Sequence, residues 1–347
     1  MVDQRSQDQA EAPAPEPTTG APLPERADET RISVMQQAAY RYTLLVVLLA
    51  LVVVFSFLLP TTFATFANLR TVTGTQAVLM IVALGLTFPL NAGEFDLSFG
   101  GVLGLASTLV AVLTINMDWH LVPALLVTFA ACLMVGAING VIVIRLGVNS
   151  LITTLGMGTI IGGVTLAIAN NQVIAGGRGF LSDIATDLLF GLPYPVYFAL
   201  ALALVVWYVY QFTPFGRYVF FTGEGREVAR LSGVPVDRIR FASFIIVAFA
   251  ATLAGLISFG RLGSADPNIG GLYLLPAFAT VFLGATAINP GRYNAWGTVL
   301  AVYVLVVGIT GLQLLGGAGY LELIFNGTAL VLSVIVSQLI RRRFVRE

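Results

Sequence analysis

Residues 71–117 read TVTGTQAVLMIVALGLTFPLNAGEFDLSFGGVLGLASTLVAVLTINM. Only Glu94 and Asp96 are charged here, and they split the stretch into two apolar runs, 71–93 and 97–117. A helix needs about 20 mostly apolar residues to cross the hydrocarbon core of a bilayer. Each run reaches that length. The same reading extends in both directions: further uncharged runs cover 42–69, 119–144, 146–177, 188–216, 241–260, 267–291, 293–321 and 323–340. Hydrophobic residues make up 57% of the chain and charged ones 10%, against about 25% charged in soluble domains. The runs are too long for the alternating strands of about 10 residues that build a membrane barrel. The expected fold is therefore all-α and polytopic, with about ten transmembrane helices.

Residues 1–40 differ in character. Pro13, Pro15, Pro17, Pro22 and Pro24 stand among acidic residues with little apolar clustering, so the segment cannot bury enough surface to offset its ordering entropy. It reads as a disordered cytoplasmic tail, and the apolar region that follows from 41 is too long for a signal peptide. Cytoplasmic loops are enriched in basic residues. With a cytoplasmic N-terminus and ten crossings, only Arg70, Arg178 and Arg261 fall outside, while Arg145, Arg217, Arg226, Arg230, Arg238, Arg240, Arg292 and the basic end 341–347 fall inside. Both termini are expected in the cytoplasm.

Several chemistries are set aside by composition. Every basic residue is Arg, with no Lys. The phosphate-binding loop of ATPases needs a Lys after its glycines, so this chain is not expected to hydrolyse ATP. Cys132 is the single cysteine, which leaves no disulfide framework or cysteine metal site, and no metal or cofactor is expected in the chain. His120, the single histidine, sits beside Trp119 at the edge of a run, where an interfacial packing role fits. The formal net charge is zero, and no nucleic-acid partner is expected.

Three places carry information. Of the 20 charged residues between 43 and 340, eight fall in 217–240. Within that window Glu224 to Leu231 reads as a short amphipathic helix, with Val228 and Leu231 on one side and Arg226 and Arg230 four apart on another. Ser232-Gly233 offers a stop, and Pro235 prevents continuation. This helix is too polar to insert. It is either a docking helix for a soluble partner or a charged loop that fixes topology. The second place is Gly93 to Ser98, where Glu94 and Asp96 lie between two apolar runs. A carboxylate inside a bilayer needs a water-filled cavity, a partner or a break in the helix. Asp96 with Ser98 either caps the next helix or takes part in a pathway or gate. The third place is a pair of polar, glycine-rich outward segments, 170–187 with Arg178, and 261–271 with Arg261, Ser264, Asp266 and Asn268. They are either bare loops or contacts for an extracytoplasmic protein.

Four blocks of the sequence resemble the permease subunits of bacterial ATP-binding-cassette importers for ribose and other simple sugars, within the branched-chain amino-acid and monosaccharide permease superfamily. GEFDLSFGGVLG at 93–104 is similar to the family's GG-[IV]-DLS-x-G-x-x-L. NGVIVIRLGVNSLITTLGM at 139–157 resembles its NG-x(6)-G-x-x-x-[FL]-I-x-TLGM. FGRYVFFTGEGREVARLSGV at 215–234 resembles FGR-x-x-x-x-x-GGN-x-x-AARLSGI, and GRLGSADPNI at 260–269 resembles R-x-x-S-x-x-P-x-x-G. Glu94 and Phe95 depart from the usual Gly and Ile, Gly225 from Asn, and Val228 from Ala.

The resemblance covers about 40–340. It implies that 41–340 form a transmembrane permease domain in the inner membrane. It implies a cytoplasmic coupling helix at about 222–234 that enters a groove of a separate ATPase subunit. Gly223, Glu224, Arg226, Glu227, Val228, Arg230, Leu231, Ser232 and Gly233 are then the ATPase-coupling candidates. Glu94, Asp96, Ser98 and Asn139 are the pathway or gating candidates, and Arg178, Arg261, Ser264, Asp266 and Asn268 would dock a sugar-binding protein. The implied partners are that ATPase with its ATP and Mg, a second permease subunit in a homodimer, and the lipid bilayer. An ion-coupled secondary transporter is the alternative; it would usually show more intramembrane acids or histidines than Glu94 and Asp96 supply.

Overall fold

The computed structural model describes residues 34–177 and 179–344. Contacts divide the chain at residue 38, and the account below concerns the unit from Ala39 on. Of the unit before it, only 34–38 are described, as helix. The helices run α1 Val34–Leu58, α2 Phe66–Asn91, α3 Phe99–Ala111 with a π turn to Asn116, α4 Leu121–Arg145 and α5 Ser150–Ile168. Then come α6 Phe180–Thr186, α7 Tyr194–Phe212, α8 Pro214–Glu224, α9 Arg226–Leu231 and α10 Val236–Leu262. The series ends with α11 Gly271–Gly284, α12 Ala295–Leu314 and α13 Tyr320–Phe344.

Among the described residues, seven helices are long and apolar enough to cross a membrane: α2, α3 with its π turn, α4, α5, α7, α10 and α12. Three shorter apolar helices, Tyr42–Leu58, Gly271–Gly284 and Tyr320–Val336, correspond to the remaining runs. Apolar runs and helices do not share boundaries. The run 42–69 ends at Arg70, yet the chain turns earlier, at Leu59–Thr65, where Pro60 cannot continue a helix. Thr65 then caps α2 by accepting the Asn68 amide at 3.2 Å. The run 267–291 holds a helix of only 14 residues, followed by an irregular turn over 285–294. Residues 34–40, assigned to the tail from sequence, belong to α1; the rest of that tail and 345–347 lie outside the described residues, while 341–344 continue α13.

The helices form an inner and an outer set. The span of α2 is 83% buried and that of α5 only 17%, although both are apolar. An apolar helix exposed on most of its surface is stable in lipid rather than water. The inner helix α10 packs against α2, α3 and α4. Without a hydrophobic drive between helices in lipid, close approach relies on small residues. Gly255 of α10 meets the Leu103 carbonyl and Ala106, and Gly136 of α4 meets Phe244 and Ala248. Several buried hydroxyls bond within their own helices: Thr128 to the Ala124 carbonyl at 2.8 Å, Thr165 to Ile161 at 2.8 Å, and Thr252 to Ala248 at 2.7 Å. That leaves them satisfied where no water is at hand.

Candidate functional site

The charged window 217–240 folds as two helices and a turn. Pro214 opens α8, and Thr213 caps it by accepting the Gly216 amide at 3.2 Å. Helix α8 stops at Glu224, because Gly225 is extended and separates it from α9. The amphipathic helix therefore starts at Arg226, two residues later than the sequence pattern placed it. It ends at Ser232 with Gly233 at φ 83°, a left-handed conformation suited to glycine. Gly223 lies against the Asn91 carbonyl at the end of α2, leaving no room for a Cβ.

Helix α9 leaves apolar side chains exposed and pairs its arginines. Val228 and Leu231 are 70% and 89% exposed. Arg226 and Arg230 are held by acids of the same chain. Arg226 Nη2 donates to Glu94 Oε1 at 2.6 Å and to the Gly93 carbonyl at 3.0 Å. Arg230 Nη2 donates to Asp237 Oδ1 at 3.0 Å, with Glu227 at 3.6 Å. Arg240, in the second turn of α10, donates through Nε to the same Glu94 Oε1 at 2.6 Å and lies 3.9 Å from Asp237. Three acids and three arginines thus link the α2–α3 loop to α9 and α10. A buried carboxylate held by two guanidiniums satisfies the pairing that low dielectric demands.

The rest of that loop is fastened on its other side. Asp96 Oδ1 accepts from the Ser98 amide at 2.8 Å and from Ser98 Oγ at 2.6 Å. Ser98 Oγ in turn accepts from Asn139 Nδ2 of α4 at 2.8 Å. Asp96 thus steadies the start of α3, while Ser98 at the N-cap makes no capping bond of its own. The Phe95 amide donates to Ser150 Oγ at 3.1 Å, and the Leu97 amide donates to Thr154 Oγ1 at 3.0 Å, both on α5. Burial pushes the Asp96 carboxyl up from its ordinary 3.8 to about 6, opposed by the Ser98 hydrogen bonds that favour the ionised form.

Glu94, Asp96, Ser98 and Asn139 are thereby brought together with Arg226, around one seven-residue connection. Sequence reasoning missed Arg240, Ser150 and Thr154 as members of this site. Ser150 and Thr154 stand four apart at the start of α5, a spacing that puts two hydroxyls on one face. A neighbouring clamp was also missed: Asn91 Nδ2 donates to the Tyr293 carbonyl at 2.8 Å, and the Tyr293 amide donates back to Asn91 Oδ1 at 3.2 Å. Arg292 lies 5.2 Å from the centre of the Phe220 ring, tying the 285–294 turn to α8.

The outward candidates lie at the other end of α10. Residues 174–175 pair antiparallel with 264–265, Ala175 opposite Ser264, so the two polar segments join each other. Asp266 Oδ1 accepts from the Asn268 amide at 2.9 Å, forming a local turn. Arg261 donates to Thr75 Oγ1 at 3.0 Å. Arg178 lies outside the described residues.

Fold and site together define a polytopic helical membrane protein with a short exposed helix fastened to the ends of its central spans. The chain belongs to the family described as the permease component of the branched-chain amino acid transport system, whose model matches residues 68–334. It is similar to the ribose import permease protein RbsC of Escherichia coli K12, with 32% identity over 300 residues, covering 84% of this chain and 92% of that one. The ribose import permease protein RbsC of Haemophilus influenzae is 30% identical over 84% of this chain and 90% of its own. The autoinducer 2 import system permease protein LsrD of Yersinia enterocolitica is 32% identical over 74% and 78%. No solved structure matches.

Proposed function

We propose that this chain is the transmembrane permease subunit of an ATP-binding-cassette importer, and that it forms the translocation pathway for a simple sugar or related polyol by alternating access. The observation that carries this reading is the near end-to-end similarity to ribose import permeases, 84% of this chain against 92% of the relative.

In this reading the seven long helices and the three shorter apolar ones make ten crossings, with both termini in the cytoplasm. The arginine distribution supports that orientation. The segment 222–234 is the coupling helix. Val228 and Leu231 enter a groove of the ATPase, because they are the apolar side chains α9 leaves exposed. Arg226, through Glu94, passes displacement of α9 to the α2–α3 loop, and Arg240 passes it to α10. Asp96, Ser98 and Asn139 carry it on to α4. ATP and Mg bind the partner ATPase, a second copy of the chain completes the pathway, and a soluble binding protein delivers the sugar from outside. The joined segments around Ser264, Asp266 and Asn268, with Arg178 and Arg261, receive that binding protein.

The test is affinity purification of the chain from its native membrane in mild detergent, with identification of what accompanies it. A cassette ATPase in stoichiometric amount is the expected result. A chain that purifies alone and still moves solute contradicts the reading.

A further inference from the structure

A cavity of about 540 Å³ lies among the ends of α2, α11, α12 and α13. Its α2 residues run from Asn68 to Leu79, whereas Glu94 follows the helix end at Asn91. At about 1.5 Å per residue, the helix end lies roughly 18 Å beyond Leu79 and roughly 35 Å beyond Asn68. The volume falls in the range of small-molecule sites, about 300–1,000 Å³.

The lining mixes two kinds of side chain. Leu79, Tyr273, Pro276 and Val306 are apolar or aromatic. Thr75, Gln76, Gln313, Glu322 and Asn326 are polar. Asn326 is 4% exposed, and no hydrogen bond engages its side-chain amide among the described residues; its Oδ1 is buried without a partner. A buried polar group without a partner is uncommon and calls for an explanation. Gln313 Nε2 donates to Glu322 Oε2 at 3.2 Å, which leaves that carboxylate further acceptor capacity. Arg261 donates to Thr75 Oγ1 at 3.0 Å.

We propose that this cavity is a binding site, held within a single subunit, for a small neutral polyhydroxylated solute such as a pentose or pentitol. Amides both donate and accept, and a carboxylate accepts from adjacent hydroxyls, which is the pattern a polyol presents along its edge. The apolar side chains and the Tyr273 ring take the C–H face of the same molecule. The Glu322 carboxylate disfavours an anionic ligand. The site rests on the importer reading for its placement on the extracytoplasmic side, where solute arrives.

The test uses the full chain in phosphatidylcholine nanodiscs without a binding protein, and tritiated D-ribose and ribitol as probes. Saturable binding is expected, weakened about tenfold or more in Asn326→Leu and Gln76→Leu, as when a site built for hydroxyls loses its hydrogen-bonding groups. Asn326→Ser, which keeps a small polar group, is expected to weaken binding less, and the unfolding midpoint of each variant checks that it folds. 1-Pentanol, similar in size but without the hydroxyl array, is expected not to compete. Absence of binding to the wild-type chain, unchanged binding in both leucine variants, or competition by 1-pentanol equal to that of ribitol overturns the proposal. Import by the assembled complex is measured separately. Import without cavity-dependent binding overturns this site alone, whereas absence of import overturns the importer reading.

Discussion

Glu94, in the connection between α2 and α3, lies 2.6 Å from the guanidinium of Arg226 on the six-residue helix α9. The same oxygen takes Arg240 at 2.6 Å. The carboxylate is thus a joint between a segment exposed on the surface and two of the innermost helices. Its two cations are unequally buried, with side-chain exposure of 43% for Arg226 and 10% for Arg240.

That inequality separates stability from coupling. Glu94→Ala leaves the buried Arg240 without this carboxylate, and removing one partner of a buried pair costs about 3–5 kcal/mol. Arg226→Ala removes a half-exposed partner and is expected to cost about 1 kcal/mol or less. Thermal unfolding of both variants in detergent checks the order. The Arg226 variant, still folded, is expected to consume more ATP per solute imported, because the link from α9 to the α2–α3 connection is cut. An unchanged ratio shows that α9 transmits nothing through Glu94.

The exposed apolar side chains of α9 make a different prediction. Val228→Asp and Leu231→Asp touch little within the chain and are expected to shift stability by no more than about 0.5 kcal/mol. Each is expected to weaken binding of the cassette ATPase about tenfold or more, equivalent to about 1.4 kcal/mol. Microscale titration of the ATPase onto the detergent-solubilised chain reads this directly.

Gly223→Ala adds a methyl group where the Asn91 carbonyl already sits. Backbone cannot yield as a flexible side chain can, so a loss of about 1–3 kcal/mol is expected. The same change should loosen α8 from the end of α2. Hydrogen exchange at Gly93 and Glu94, whose amides bond to the Leu90 and Pro89 carbonyls at 3.2 and 2.8 Å, is expected to quicken.

Asp96 gives a pH signature. Its carboxyl is raised from 3.8 to about 6 in the folded chain, so the native state holds the proton more tightly than the unfolded one. Its contribution to stability therefore declines as pH rises between these two values and is flat beyond them. Asp96→Asn cannot titrate. The wild-type unfolding midpoint is expected to fall relative to that of the variant between about pH 4 and 6. A constant difference across that interval refutes the assignment.

The helices were legible because charge is so sparse in this sequence that each apolar run announces itself. Their ends were not. Arg70 closes a run but lies inside α2, since a long side chain near a helix end can extend toward the interface. The chain turns instead at Pro60, where backbone chemistry decides. Asp96 and Ser98 were legible as a local pair because they stand only two positions apart. The partners of Glu94 were not, since Arg226 and Arg240 stand 132 and 146 residues away. Arg226 and Arg230 were legible as one face of a short helix, but the ion pairs they make were not. Periodicity places them on one helix face but says nothing of the acids that the rest of the chain brings to that face.

The most direct measurement is uptake of ribose into proteoliposomes that contain this chain, its co-purified cassette ATPase and its binding protein. Uptake that requires ATP and the binding protein, and persists when ion gradients are collapsed, is the predicted result. Uptake that proceeds without ATP and stops when an ion gradient is collapsed would contradict it.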